Sequence, residues 1–148
     1  MDTELSKRLD QINQALPPCI QTLNGRIVSF EQESQSLWMS YRAEPAFCHS
    51  ETIVQGGFVS GMVDATMAHC CMVLLRPQGL LATPTLELKV SFLAPAHPGE
   101  LRARAWPLKV GKSIAYLEAE LYQKDPEAER DRLIVKASST LKLVYAKK

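Results

Sequence analysis

The sequence predicts an α+β fold in which an antiparallel sheet wraps around one long central helix. Three observations predict it. Residues 55–75, QGGFVSGMVDATMAHCCMVLL, form a long apolar run whose one formal charge is Asp64. Beyond Pro77 the apolar period changes to two: Leu86, Leu88, Val90 and Phe92 alternate with Thr85, Glu87, Lys89 and Ser91, the pattern of a half-buried antiparallel strand. Three further strand-like segments follow. An antiparallel sheet needs something to cover its apolar face, and the apolar helix is the natural cover.

The elements follow in order. Leu5, Leu9, Ile12 and Leu16 recur at spacings of four, three and four, which predicts an amphipathic helix over 3–16 closed by Pro17-Pro18. Arg26 to Phe30 and Gln35 to Arg42 read as a hairpin across a polar EQES stretch, and a loop through 44–54 leads into the central helix. After the strand over 85–92, the APAHPG turn ends the run. Leu101, Ala103 and Ala105 begin the next strand, and Pro107 predicts an edge or bulge before the Gly111-Lys112 turn. Ala115, Leu117, Ala119 and Leu121 form another apolar row. DPEAERD is a polar loop, and Leu133 to Val144 is the last strand. One domain over 1–148 is expected, with an N-terminal helix and breaker at 1–18 and the core at 19–148.

Composition narrows the function. A net charge of +1 with scattered Lys and Arg supplies no strong field for nucleic acid. The polar N-terminus MDTELSKRLD is no secretory signal, and Cys19, Cys48, Cys70 and Cys71 contain no CxxC pair, so a reduced, cytoplasmic protein is expected. Cys70 and Cys71 read as small core residues. The 55–75 run is long enough for a bilayer. Gln55, Ser60, Asp64, Thr66 and His69 within it argue instead for a buried helix, with no membrane partner. No metal is expected, because His49, His69, His97 and the cysteines lack ligand spacing.

Asp64 is the candidate catalytic group. A carboxylate in so apolar a run is costly to bury unless it is paired, neutralised or used. As a base it activates water; as a nucleophile it forms a mixed anhydride. Its structural alternative is a bond to a hydroxyl such as Thr66. Gln55, Gly56 and Gly57 stand where loop becomes helix. There the first backbone N–H groups lack intrahelical acceptors and point outward with the positive end of the helix dipole, a setting for an oxyanion. Asp64 is eight residues beyond Gly56, about 12 Å along a helix. One small carbonyl does not touch both in the same helix, so if both act on one substrate they come from different subunits, with two antiparallel copies of the helix across a two-fold axis, and a homodimer or homotetramer is expected. His69 is five residues from Asp64, a rotation of about 140°, and so faces elsewhere.

With the Gln-Gly-Gly turn, the acid eight residues on, and the strand TLELKVSFLAPA over 85–96, the chain resembles the PaaI-type acyl-CoA thioesterases of the hot-dog superfamily. The resemblance continues through Gly99-Glu100-Leu101, Gly111-Lys112-Ser113 and Ile134 to Thr140. It implies hydrolysis of acyl-CoA thioesters. Gly56 and Gly57 would polarise the carbonyl, and Asp64 would be base or nucleophile. Thr85 stands where relatives often carry a Ser or Thr that helps hold water; strand parity puts it on the polar side, so it reaches the site only along a dimer seam or through a bulge. Gln55 replaces the usual His, and His49 replaces an Asn that helps hold the thioester oxygen; both can still donate a hydrogen bond. Coenzyme A would be part of the substrate rather than a cofactor.

Phe58, Met62, Met67 and Met72 suggest an adaptable acyl groove. Lys112, with Arg102, Arg104 and Lys136, is a candidate for the coenzyme A phosphates. Two rival readings remain: a hydroxyacyl-thioester dehydratase using His49 and Asp64, and an acyl-CoA binding module without turnover. The dehydratases usually carry Glu on the helix and Pro-Gly before it, and the intact Asp64 favours catalysis over binding alone.

Overall fold

Asp2 opens the first helix, its carboxylate accepting the Glu4 N–H at 3.1 Å, a cap that satisfies one of the orphan donors. In the computed structural model, which describes residues 2–148, this helix, α1, spans Thr3–Gln14, and a second, α2, spans Pro18–Thr22. The strands are β1 (Arg26–Glu31), β2 (Ser36–Ala43), β3 (Cys48–Ser50) and β4 (Ile53–Val54). The central helix α3 (Gly56–Leu75) follows. Then come β5 (Leu80–Ala82), β6 (Thr85–Phe92), β7 (Gly99–Val110), β8 (Ile114–Asp125), β9 (Arg130–Lys142) and β10 (Val144–Tyr145). Six strands form one antiparallel sheet in the order β1-β2-β7-β8-β9-β6, curled around α3.

Strand parity explains why the sheet accepts a helix. Leu37, Met39, Tyr41 and Ala43 of β2, Leu101, Ala103 and Ala105 of β7, Ala115, Leu117, Ala119 and Leu121 of β8, and Val135, Ala137 and Leu141 of β9 are buried. The many alanines among them let α3 approach the backbone of the sheet without leaving voids. Against that face α3 buries Val59, Met62, Val63, Thr66, Met67, Cys70 and Val73. Gly56–Gln78 is apolar and long enough to cross a membrane by composition, yet over half of its most apolar window is buried within the protein, as befits a core helix. Asn13 fastens α1 to the sheet, donating to the Ile27 carbonyl at 2.9 Å and accepting the Ile27 N–H at 2.7 Å.

Several elements differ from the sequence reading. Pro17-Pro18 ends α1, but Pro18 also starts α2, since proline is accommodated where a helix begins. The expected 44–54 loop holds a 3₁₀ turn at Pro45–Phe47 and the β3–β4 ribbon. The β5–β10 pair, too short to show a period, was not foreseen. The bulge expected at Pro107 is present, as a register shift between Pro107 and Lys109, but the strand runs through it to Val110. The strand over 85–92 is not half-buried: β6 is the sheet's edge, and Leu86, Leu88 and Phe92 are exposed.

Candidate active site

Asp64 lies half-buried midway along α3. Its Oδ1 accepts the Thr85 hydroxyl at 2.8 Å. Simple alternation put Thr85 on the far side of the strand. A register shift between Thr85 and Glu87 bulges β6 at this point, and the bulge turns the hydroxyl toward α3. Thr66 is not the partner of Asp64: its hydroxyl lies 2.8 Å from the Tyr41 hydroxyl and donates to the Met62 carbonyl at 2.8 Å, wholly inside the core. Burial raises the Tyr41 phenol well above its ordinary range and keeps it neutral.

At the head of α3, Gln55 is the N-cap. Its side-chain oxygen accepts the Gly57 N–H at 2.7 Å, so the Gly57 donor expected to face a substrate is already engaged. Its backbone carbonyl accepts the Phe58 N–H at 3.1 Å. Among the described residues the Gly56 N–H has no acceptor and remains free. The Gln55 amide nitrogen, turned away from Gly57, stays available as a donor. A β-carbon at Gly56 would come within 3.1 Å of the exposed Phe92 ring, a tight contact that the ring must shift slightly to relieve.

His49, on β3, is exposed and shares a cleft of about 450 Å³ with Gly56, Val59, Phe92 and Ile134. The free N–H and the imidazole therefore border the same space. Asp64 is two turns further along α3, about 12 Å from Gly56 by helical rise. The structure thus brings His49 and Gly56 together in one cleft at the head of the helix, places Gln55 and Gly57 on a separate depression there, and sets Asp64 with Thr85 at the helix middle.

The remaining candidates divide. Phe58 stacks on Phe47 with ring centroids 4.5 Å apart and keeps one side toward a shallow depression with Gly57 and Gly61. Met62 is fully buried beneath the sheet, so the expected groove residue is a core residue. Lys112 occupies the exposed β7–β8 turn. The neighbouring end of β7 lines a depression with Leu74, Leu75 and Gln78, at the opposite end of α3 from Gly56, so within one chain Lys112 does not reach the cleft. Arg102, Arg104 and Lys136 lie over the Trp38 and Trp106 rings and pair with Asp131, Glu31, Glu118 and Glu120, which commits them to the outer face of the sheet. Sequence reasoning missed the place of Phe92 over Gly56, which nothing in the strand pattern signals.

A curved antiparallel sheet wrapped around one long helix, with a free N–H at the helix head and a carboxylate at its middle, is the hot-dog architecture. The thioesterase superfamily family model matches residues 52–129, and the chain belongs to that superfamily. A phenylacetic acid degradation-related protein of Ralstonia eutropha JMP134, described as a thioesterase, is 31% identical, with 93% of this chain and 98% of that one covered at a TM-score of 0.78. A thioesterase family protein of Silicibacter pomeroyi has 22% identity, coverage of 96% and 99%, and a TM-score of 0.80. The PaaI protein of the E. coli phenylacetic acid degradation operon has 16% identity, coverage of 98% and 97%, and a TM-score of 0.78. The last two share the fold; the first, with the family match, identifies a PaaI-type hot-dog thioesterase. No curated protein matches the sequence.

Proposed function

We propose that the protein hydrolyses acyl-CoA thioesters in a site shared by two copies of the chain. The observation that carries this reading is the Asp64–Thr85 pair, a carboxylate held by one hydroxyl beside the open face of α3. Thioester hydrolysis is the chemistry of its superfamily. The thioester oxygen rests on the Gly56 N–H of one subunit, with His49 or the Gln55 amide as a second donor. Asp64 of the partner subunit takes a proton from water as the water oxygen attacks the carbonyl carbon. The tetrahedral oxyanion draws on the same donors, which strengthen as charge develops. Its collapse breaks the carbon–sulfur bond, releasing the acid and the coenzyme A thiolate, which takes up a proton. Thr85 keeps the carboxylate aimed at the water.

The shared site follows from distance. Asp64 and Gly56 of one chain are too far apart for one carbonyl, whereas antiparallel packing of two α3 helices sets each Asp64 against the other's Gly56. Supporting this, β6 pairs only with β9 and leaves its other edge open, with Leu86 at 57%, Phe92 at 54% and adjoining Leu93 at 58% exposure. Unprotected apolar edges of this kind invite a second strand. Coenzyme A enters as part of the substrate, and the reaction calls on no resident cofactor. Four free cysteines fit a reducing, cytoplasmic setting.

The test is release of free thiol from short, medium, long and aryl acyl-CoAs by wild type and Asp64→Asn side by side. Turnover abolished by the substitution supports the reading; thiol release unaffected by it removes Asp64 from the mechanism.

A further inference from the structure

We infer that the cavity between α1 and α3 is the acyl pocket and that it selects acyl groups ending in a carboxylate. This rests on the thioesterase reading and adds a substrate class to it. The cavity, about 320 Å³, is lined along α3 from Ala68 onward, one helical turn beyond Asp64. Ala68 and Met72 form its floor; they follow Asp64 at intervals of four on one face of α3. Thr83, at its edge, is two residues from Thr85. Ile12 and Leu16 roof it with apolar surface from the N-terminal segment. An acyl chain leaving the thioester carbonyl at Asp64 passes directly over Ala68, whose methyl leaves it room.

The charges are one-sided. Arg8 and Arg76 both line the cavity, and no acid does. Among the described residues neither guanidinium lies within ion-pair distance of a carboxylate, and the buried Nε of Arg8 has no hydrogen-bond partner. The third polar wall is His69, whose Nδ1 is 2.8 Å from the Ala65 carbonyl; that acceptor fixes the proton on Nδ1. Desolvation lowers its pKa, so the imidazole stays neutral and does not repel a cation or attract an anion strongly. A plain alkyl chain would leave a buried guanidinium N–H unsatisfied, whereas a terminal carboxylate supplies the missing acceptor and is held by charge-assisted bonds.

The test uses matched chains on the full protein: adipyl-CoA, with a distal carboxylate, against hexanoyl-CoA. One or two charge-assisted bonds correspond to about 10- to 100-fold in kcat/KM, and a preference of that size for adipyl-CoA is expected. Arg8→Gln and Arg76→Gln should collapse the ratio to below about 3, mainly through the KM for adipyl-CoA, with melting temperatures confirming folded variants. Equal use of both thioesters by wild type, or variants that slow both alike, overturns the inference. Calorimetry on Asp64→Asn separates it from the hydrolase reading. Were no thioester cleaved by wild type, tighter binding of adipyl-CoA than of hexanoyl-CoA and free coenzyme A would still uphold the pocket. Free coenzyme A binding as tightly as adipyl-CoA would assign the guanidiniums to its phosphates and overturn it.

Discussion

Thr85 on the edge strand donates its hydroxyl to Oδ1 of Asp64 on the central helix at 2.8 Å, across 21 residues of sequence and through a bulge that breaks strand parity. The bond gives a solvent-facing carboxylate one fixed partner, and its removal is a direct test of the site. Thr85→Val should retain the fold and lose about 10-fold in kcat, the scale of one hydrogen bond to a charged group. Thr85→Ser should restore most of it. Steady-state thiol release on the three proteins decides the matter; full activity in the valine variant makes the contact merely structural.

Asp64→Asn preserves shape and the acceptor for Thr85, so unfolding should be nearly unchanged. Turnover should fall by at least about 10²-fold, because an amide neither takes a proton from water nor attacks a carbonyl. Chemical denaturation and kinetics measured on the same preparation separate the two effects.

The head of α3 offers a contrast between a cap and a donor. Gln55→Ala deletes the acceptor for Gly57 and should cost about 1 kcal/mol of stability, with Gln55→Ser recovering part of it. Gly56→Ala gains up to about 1 kcal/mol in helix propensity but pushes against the exposed Phe92 ring, so net stability should change by less than about 0.5 kcal/mol. The added methyl nonetheless intrudes on the cleft, and activity should drop well below wild type. Urea titrations beside kcat/KM for each variant test both halves.

A lysine at Leu88 places a charge on the open, apolar edge of β6, the device by which edge strands resist pairing. Leu88→Lys should shift the protein from dimer or tetramer toward monomer by light scattering. Activity should fall with the monomer fraction. An active wild-type monomer would sink the cross-subunit site.

His69 makes stability depend on pH. Desolvation depresses its folded pKa below the ordinary value of 6.5, so in the interval between the two values the unfolded chain binds the extra proton. Its contribution is complete above pH 6.5 and is lost as pH falls toward the folded value. Wild type should therefore lose stability on acidification from pH 7.5 to 5.5 more steeply than His69→Gln. Parallel slopes for the two proteins would remove His69 as the source.

The cysteines give a chemical readout of the core. Burial pushes the Cys70 and Cys71 thiols up to about 12, whereas Cys19 is exposed. A thiol reagent at neutral pH should modify Cys19 rapidly and spare Cys70 and Cys71 until the protein is unfolded. Rapid native labelling of either core thiol would contradict its placement under the sheet.

Sequence alone determined the architecture and its central acid. Period-two rows in β7, β8 and β9 and the apolar run of α3 are local patterns, set by which neighbours along the chain share a face, and they need no long-range knowledge. The Gly-Gly start of α3 and the isolated Asp64 were legible for the same reason. Tertiary structure decided the rest, because each remaining feature depends on residues distant in sequence. The bulge that aims Thr85 at Asp64, the exposure of Leu86 and Leu88 on an edge strand, and the burial of Met62 depend on strand order and on how α3 is rotated against the sheet. Even the short-range bond from Gly57 to Gln55 depends on a rotamer that the chain pattern does not specify. The cavity joining Arg8 to Ala68 and Arg76 depends on α1 lying beside α3, a placement held by buried Leu5, Leu9 and Ile12 and by the Asn13–Ile27 bonds. Hydrophobic period fixes which residues share a face; only closure of the sheet around α3 fixes whether that face is covered and what it meets.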